Sequence, residues 1–481
     1  MSSILTCVGF GNGAIDLGGL LICQIKNLTE QSSLPDGFFV LGNYSQSNTN
    51  FPSGILFAGK DVTNDPSRVI LKSPIDYILV TSPANDQEGG AYIWQPLPPE
   101  NYTAIGNVAT GSSDKPPLDD IRCVLSDFVE IIQEGGNISP HIPTGTFLAR
   151  GNESTISSFM YLKNVAGNIS SMPNISQLDD LIKKYSPVIY FHPDEEFFPS
   201  PVSFFFENGG LLYTKGQESN PVPIDPTGSN LPQGGSDDEL YWLDMPIDDA
   251  ARGKVKTGSL ETAGAYIHAK PTLGATCTDL AIWIFYPYNG PARAKVEFFN
   301  INFRHIGQHV GDWEHVTLRI SNLNGELESV YFAQHAKGVW LNANEIEYQS
   351  GTKPVVYSSY HGHAAYPFQG INLIGNGNIG IRNDAAKGDR FMDTGVNYSI
   401  VSADYLSPPI VEPTWLNYTR KWGPTITSDF ADDLSKFTKF LPGKLKRKFM
   451  DMFNKLPKEV MGQEGPTGPK WKASWDGDEN V

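Results

Sequence analysis

Residues able to ligate ions or move protons crowd into one short stretch of the chain. Gln308-His309-Val310-Gly311-Asp312-Trp313-Glu314-His315 reads QHVGDWEH and runs on into Val316-Thr317-Leu318-Arg319-Ile320. Alternation of period two from Asp312 predicts a β-strand whose polar end meets a loop. On a strand, Asp312, Glu314 and Val316 share one face, while Trp313 and His315 share the other, with Trp313 read as core. Two carboxylates side by side repel unless a cation lies between them. His309, placed in the approach loop, reaches the same point. Such a set suits a divalent ion held by oxygen with water completing its shell, so calcium or magnesium is expected rather than zinc. Six of the nine histidines fall between His305 and His363, and His335, His361 and His363 extend the cluster.

Three chemistries are open to this constellation. In a binding protein, Asp312 holds the cation, with Glu314 and His309 close by or acting through water. Its open positions then meet the hydroxyls or phosphates of a glycan or lipid headgroup. His315, His335, His361, His363 and Tyr360 would form the rim. In a metal-dependent hydrolase, the ion would lower the pKa of a bound water, with His335 or His361 as general base. No nucleophile elbow or H-E-x-x-H motif accompanies it. In a purely structural reading, the cluster satisfies buried polar groups and takes no metal.

The elements that must position these residues are strands. With 481 residues the chain has room for two or three domains, and 40% hydrophobic against 19% charged residues makes it globular. Gly 47 and Pro 35 point to turns and sheets. A net charge of −17, with basic residues gathered only near the C-terminus, excludes a nucleic-acid partner. Cys7, Cys23, Cys123 and Cys277 show no C-x-x-C spacing, so thiolate metal sites are not expected and any disulfide stays unassigned. The N-terminus lacks a charged n-region, and no apolar run reaches membrane-spanning length. Asn-x-Ser/Thr sequons, for example at Asn27, Asn101, Asn168 and Asn417, matter only on a secretory route. A cytoplasmic, peripheral-membrane or vacuolar setting is left open.

Residues 1–165 carry a weak threefold repeat: Pro35 to Asn43, Pro99 to Asn107 and Pro143 to Asn152 each read turn, strand, Gly-Asn. Three antiparallel sheets about a pseudo-threefold axis, a β-prism-like domain, would satisfy it. Residues 166–184 read as linker with a short helix from Gln177. Residues 185–425 hold many short strands without helices between them, which predicts a β-sandwich. The polar stretch 215–238 reads as a mobile surface loop. Residues 426–481 form a C-terminal helical region. Ser428 caps a first helix, and Lys444 to Leu456 forms a basic amphipathic helix that either packs on the domain or lies on an anionic membrane surface. The tail from 462 reads as extended or disordered.

Six long stretches together resemble the vacuolar protein sorting-associated protein 62 family. They are YSPVIYFHPDEEFFPSPVSFFFENGGLLY (185–213), GQHVGDWEHVTLRI (307–320), KPVVYSSYHGHAAYP (353–367), GIRNDAAKGD (380–389), WLNYTRKWGP (415–424) and EGPTGPK (464–470). The likeness covers roughly residues 90–480. It implies a link to vacuolar delivery and no established catalytic activity.

The Asp-Trp-Glu anchor also resembles, more distantly, the GHRHDWE signature of the necrosis-inducing-protein-like cytolysins. That resemblance implies a divalent cation on a β-sandwich, beside a site for a sphingolipid headgroup. It implies His309, Asp312 and Glu314 as the metal shell. Gly311 replaces the second histidine of that signature. Asn289, at the end of Trp283-Ile-Phe-Tyr-Pro-Tyr-Asn289, stands where an aspartate is expected. An amide oxygen still ligates calcium, but with one charge fewer.

Overall fold

Proline turns set up the first unit. Pro35 and Pro99 each open a turn closed by the N–H of the residue three on, Phe38 onto Pro35 O at 3.0 Å and Tyr102 onto Pro99 O at 3.1 Å. The computed structural model describes residues 15–26, 34–43, 55–82, 92–134, 147–150, 157–162, 172–235, 239–335, 337–425, 434–435, 438–455 and 464–477. The chain is mainly β, with several sheets and few helices, the last of them near the C-terminus.

One compact unit comprises residues 1–178 with 270–279 and 319–329. Its described strands form four small antiparallel sheets, one of four strands and three of three. Leu20, Ile22, Phe57, Ile105, Val124 and Phe128 are buried together at its centre. Gly42 and Gly106, the glycines of the first two repeat copies, meet there. A methyl group on Gly42 would lie 2.7 Å from Gly106 Cα, so both copies need bare backbone at the same point. The turn of the third copy, at 143–146, lies outside the described residues. Cys23 is disulfide-bonded, while Cys123 and Cys277 are buried free thiols.

The second unit comprises residues 179–269, 280–318 and 330–481. The largest described sheet has six strands, in the order Lys337–Asn342, Leu327–Gln334, His309–Ser321, Cys277–Asn289, Ala265–Thr272 and Tyr398–Ser402. Period-two alternation gives this sheet two apolar faces. Trp283, Phe285 and Trp313 point one way, into a cluster with Trp415, Trp422 and Trp475. Ile284, Tyr286 and Val316 point the other way, against Ile189, Val356 and Ala365 of a second sheet built on Val188–Tyr190 and Lys353–Ser358. Two sheets packed face to face make the sandwich that the short strands predicted.

A third sheet, in the order Phe299–Asn302, Arg293–Val296, Ile379–Ala385, Gly370–Asn376, carries the helix Gly443–Phe453. Phe449 and Phe453 bury themselves among Val296, Ile301, Phe303 and Ile379. The apolar face of the basic helix is therefore taken up within the fold, and Lys444, Lys446, Arg447 and Lys448 are what it shows to solvent. The helix expected from Ser428 falls mostly outside the described residues.

Two expectations are refined. The stretch 215–238 lies largely at the surface, as expected, but it is anchored by strand pairing and a few buried residues. Leu211–Thr214 pairs with Val222–Pro223 and Tyr241–Asp244, and Leu231 is buried beneath them; residues 236–238 lie outside the description. The C-terminal segment is docked as well. The Trp422 N–H donates to Pro466 O at 2.7 Å, and the Trp475 ring stacks on His268 with centroids 3.9 Å apart. Gly465 allows the approach, since a Cβ there would meet Gly423 O at 2.4 Å. Glycine and proline composition predicts turn chemistry, but not what a turn packs against.

Candidate functional site

The strand His309–Ser321 begins three residues earlier than expected, so His309 sits in the strand and not in a loop before it. Gly311 then takes φ +68°, and a Cβ there would meet Trp422 O at 2.7 Å. This left-handed residue slips the alternation by one place. His309 therefore shares a cleft with Asp312 and Glu314, whereas His315 falls on the other face, stacked on Trp283 at 4.4 Å. The rim position expected for His315 is corrected by the alternation itself. The cleft has about 50 Å³ of interior space and is open on one side. Asn289, Gly307, His335, Tyr360, Gly362, Arg382 and Asn383 complete its lining.

Two of the lining side chains have their protons already committed. His309 donates from Nδ1 to Gly311 O at 2.7 Å, which leaves the Nε2 lone pair bare. Burial holds this ring below the usual histidine range, so it is neutral near pH 7. Asn289 donates from Nδ2 to Gly290 O at 3.0 Å and to Gly307 O at 2.7 Å, leaving Oδ1 with no proton of its own. Burial by itself would raise Asp312. The hydrogen bond from His363, and next the electrostatic attraction of the neighbouring His309, outweigh it and hold Asp312 below the usual carboxylate range. Burial, and next the Asp312 charge, push Glu314 well above the usual range. The pair thus behaves as the shared face predicted: one carboxylate ionises at the expense of the other.

The remaining histidines divide between lining and wall. His335 lines the cleft and donates from Nε2 to Asn383 Oδ1 at 2.8 Å. His363 lies beneath the cleft, its side chain 0% exposed. It donates from Nδ1 to Asp312 Oδ2 at 3.0 Å, its Nε2 is 3.1 Å from Phe197 O, and its ring stacks on Tyr286 at 3.9 Å. It positions Asp312 and has no free edge for a ligand. His361 is held in the wall. Its backbone N–H donates to Glu195 Oε2 at 2.8 Å, its Nδ1 donates to Pro291 O at 3.1 Å, and its ring stacks on Tyr360 at 3.8 Å. The rim roles expected of His361 and His363 are corrected accordingly, while Nε2 of His361 is buried with no hydrogen-bond partner among the described residues. His335, His361 and His363 all have positive φ, at 53°, 65° and 55°. Strained non-glycine backbone of this kind costs of order 1–3 kcal/mol per residue and gathers at functional sites.

Four lining or neighbouring residues were not foreseen. Arg382, Asn383 and Asp384 come from GIRNDAAKGD, a stretch that carried the family likeness without any assigned chemistry. Lys472 comes from the C-terminal segment, and its charge acts on Asp312, Glu314, His309 and His335 alike.

A divalent ion fits this donor set only with help. Among the described residues, no three His, Cys, Asp or Glu side chains converge to hold an ion. The Asn289 amide oxygen and water must therefore complete the shell, as oxygen-rich calcium and magnesium sites allow. No described helix is long and apolar enough to cross a membrane.

Similarity to solved structures is slight. GNIP1Aa from Chromobacterium piscinae shares 20% identity over 26% of this chain and 25% of its own, with a TM-score of 0.17. Necrosis and Ethylene inducing Protein 2, from the causal agent of cocoa's Witches Broom disease, shares 12% identity over 44% of this chain and 70% of its own, with a TM-score of 0.22. NLPPya in complex with glucosamine shares 12% identity over 46% and 78%, with a TM-score of 0.22. No curated protein matches the sequence. The model of the vacuolar protein sorting-associated protein 62 family matches residues 1–479, and the chain belongs to that family.

Proposed function

We propose that the cleft binds a divalent cation, calcium or magnesium, and through it the hydroxyls of a glycan or lipid headgroup. The observation that supports this most is the disposition of protons around it. Nδ1 of His309 and Nδ2 of Asn289 are spent on backbone carbonyls, so what these side chains keep for the cleft is lone pairs. Beside them, Asp312 and Glu314 bring two carboxylates whose mutual repulsion is relieved either by a proton kept on Glu314 or by a bound cation. The expected holders are Asp312, Glu314, His309 and Asn289. Bound there, the cation would supply a Lewis-acidic centre with exchangeable water positions. A space of about 50 Å³ takes an ion with a few waters, at roughly 10–15 Å³ each, but not a sugar ring. The ring would therefore sit at the mouth, where Tyr360 offers an aromatic face. In vacuolar sorting, the role named by the family, such a cleft would retain a glycosylated or lipid-borne ligand.

The test is calorimetric titration of calcium and magnesium into wild type and Asp312→Asn, with circular dichroism as the fold control. Asparagine keeps the size of Asp312 and an acceptor for His363 but removes the charge. Affinity should fall by at least about tenfold, the equivalent of one charge-assisted contact. Equal affinities in two folded proteins would remove Asp312 from the site, and with it the cation reading.

A further inference from the structure

The cleft is bipolar, and its positive end has no role in holding a cation. Arg382 and Arg293 stand together on a single carboxylate. Arg382 donates to Asp384 from Nε at 3.0 Å and from Nη2 at 2.8 Å, and Arg293 donates to it from Nη1 at 2.9 Å. Their other recorded partners are neutral amides: Asn300 Oδ1 at 2.6 Å from Arg382 and Asn302 Oδ1 at 3.1 Å from Arg293. Two guanidiniums on one carboxylate leave one positive charge over. The Arg382 side chain is only 9% exposed, so that charge is weakly screened. Arg293 also lies over the Tyr360 ring, 5.4 Å from its centroid, which brings the second cation to the same mouth.

Next to Arg382, the lining residue Asn383 is 3% exposed. Its Oδ1 is occupied by His335, while its Nδ2 is buried with no hydrogen-bond partner among the described residues. An orphaned buried donor costs stability of order 1–3 kcal/mol and is kept where something else satisfies it. An orphan N–H beside an uncompensated guanidinium is the donor set for an oxyanion.

We infer that the ligand of this cleft is an anionic polyol, a phosphorylated or carboxylated sugar or headgroup. One of its oxygens meets the cation on the Asp312 side while its anionic group is held by Arg382 and the Asn383 amide. This rests on the cation reading for one end of the ligand only. The arginine end makes its own prediction, because it needs no metal. A neutral glycan would leave both the spare charge and the orphan donor unanswered.

The experiment uses the full chain as wild type and as three variants, Arg382→Gln, Asn383→Asp and Asp312→Asn. Asp384 keeps its bond to Arg293 when Arg382 is replaced, and aspartate is nearly isosteric with asparagine, so the two cleft variants fail to fold for different reasons if they fail at all. Glucose 6-phosphate and glucose are titrated in calcium and in EDTA. The expected result is at least a tenfold preference for the phosphorylated sugar in wild type and in Asp312→Asn. That preference should be lost in Arg382→Gln and Asn383→Asp, with circular dichroism as the fold control. Loss of calcium binding in wild type would defeat the cation reading, while the phosphate preference in EDTA still decides the anion end. Equal affinity for the two sugars, or a preference that survives both cleft variants, overturns the inference. Vesicles with and without phosphatidylinositol 4-phosphate then separate the sources. Binding displaced by glucose 6-phosphate marks a lipid headgroup, and binding of the soluble sugar alone marks a free phosphorylated ligand.

Discussion

Asn289→Asp exchanges one atom and reverses the logic of its site. The amide of Asn289 donates to Gly290 O at 3.0 Å and Gly307 O at 2.7 Å, in a position 7% exposed. A carboxylate there loses both bonds and turns an oxygen toward two carbonyl oxygens. Each buried group left unsatisfied costs about 1–3 kcal/mol, so a total near 3 kcal/mol is a moderate figure for the pair. For domains of 150–250 residues each kcal/mol moves Tm by roughly 2–4 °C, so a drop of about 6–12 °C is expected in EDTA. Calcium should reverse much of that loss. The variant gives the cleft a third carboxylate, and saturation at 100 times Kd adds about 2.7 kcal/mol to the folded state. Scanning calorimetry of both proteins, in EDTA and in millimolar calcium, reads both halves. An unchanged Tm in EDTA would show that the two backbone acceptors do not fix the Asn289 amide. Weaker calcium binding than wild type would show that Asn289 faces away from the ion.

Glu314→Gln should raise Tm in EDTA at pH 7. Burial and the Asp312 charge raise the folded-state pKa of Glu314, so ionising it costs stability as pH climbs above about 4.5, its unfolded value. The advantage of glutamine should therefore shrink as pH falls toward 4.5, and a pH-independent difference in melting curves would refute the assignment. The same variant should bind calcium more weakly. Gly311→Ala should lower Tm and abolish calcium binding, since alanine adds about 1–2 kcal/mol of left-handed strain and a clash at 2.7 Å with Trp422 O. Gly351→Ala is the control, because its φ of +82° carries the same strain with nothing within 4 Å, and it should leave calcium binding intact. Equal behaviour of the two alanine variants in a calcium titration would mean that the kink at Gly311 does not build the site.

What was legible in the sequence follows from which forces act locally. Alternation is local, so the shared face of Asp312 and Glu314, the core role of Trp313 and the sandwich strands could be read directly. The same alternation placed His315 on the far face, and the rim role given to it came from counting histidines instead of following the pleat. His309 was given a loop because a left-handed glycine inside a strand is invisible to periodicity, and Gly311 is what brings that ring round. Whether a histidine lines a cleft or braces its wall depends on partners far away in sequence. His363 answers to Phe197, and His361 to Glu195 and Pro291. The amphipathic pattern of Gly443–Phe453 was plain, but a pattern shows that a face will be covered, not by what. Arg382 and Asn383 carried no signal beyond their place in a long motif. Their chemistry exists only once three sheets meet.

Trp475 has a consequence for the order of events during synthesis. Its ring lies on His268, and it joins the cluster holding Trp283, Trp313 and Trp422. Chains emerge from the ribosome N-terminus first, at roughly 5–20 residues per second. The strands that carry Asp312 and Asn289 are thus exposed well before residue 475 appears, an interval of about ten seconds or more for the intervening stretch at that pace. Through that interval one apolar face of the six-stranded sheet waits for its last tryptophan. A nascent chain stalled before residue 475 presents that face to chaperones, and a premature stop there removes a core residue while leaving every cleft ligand encoded.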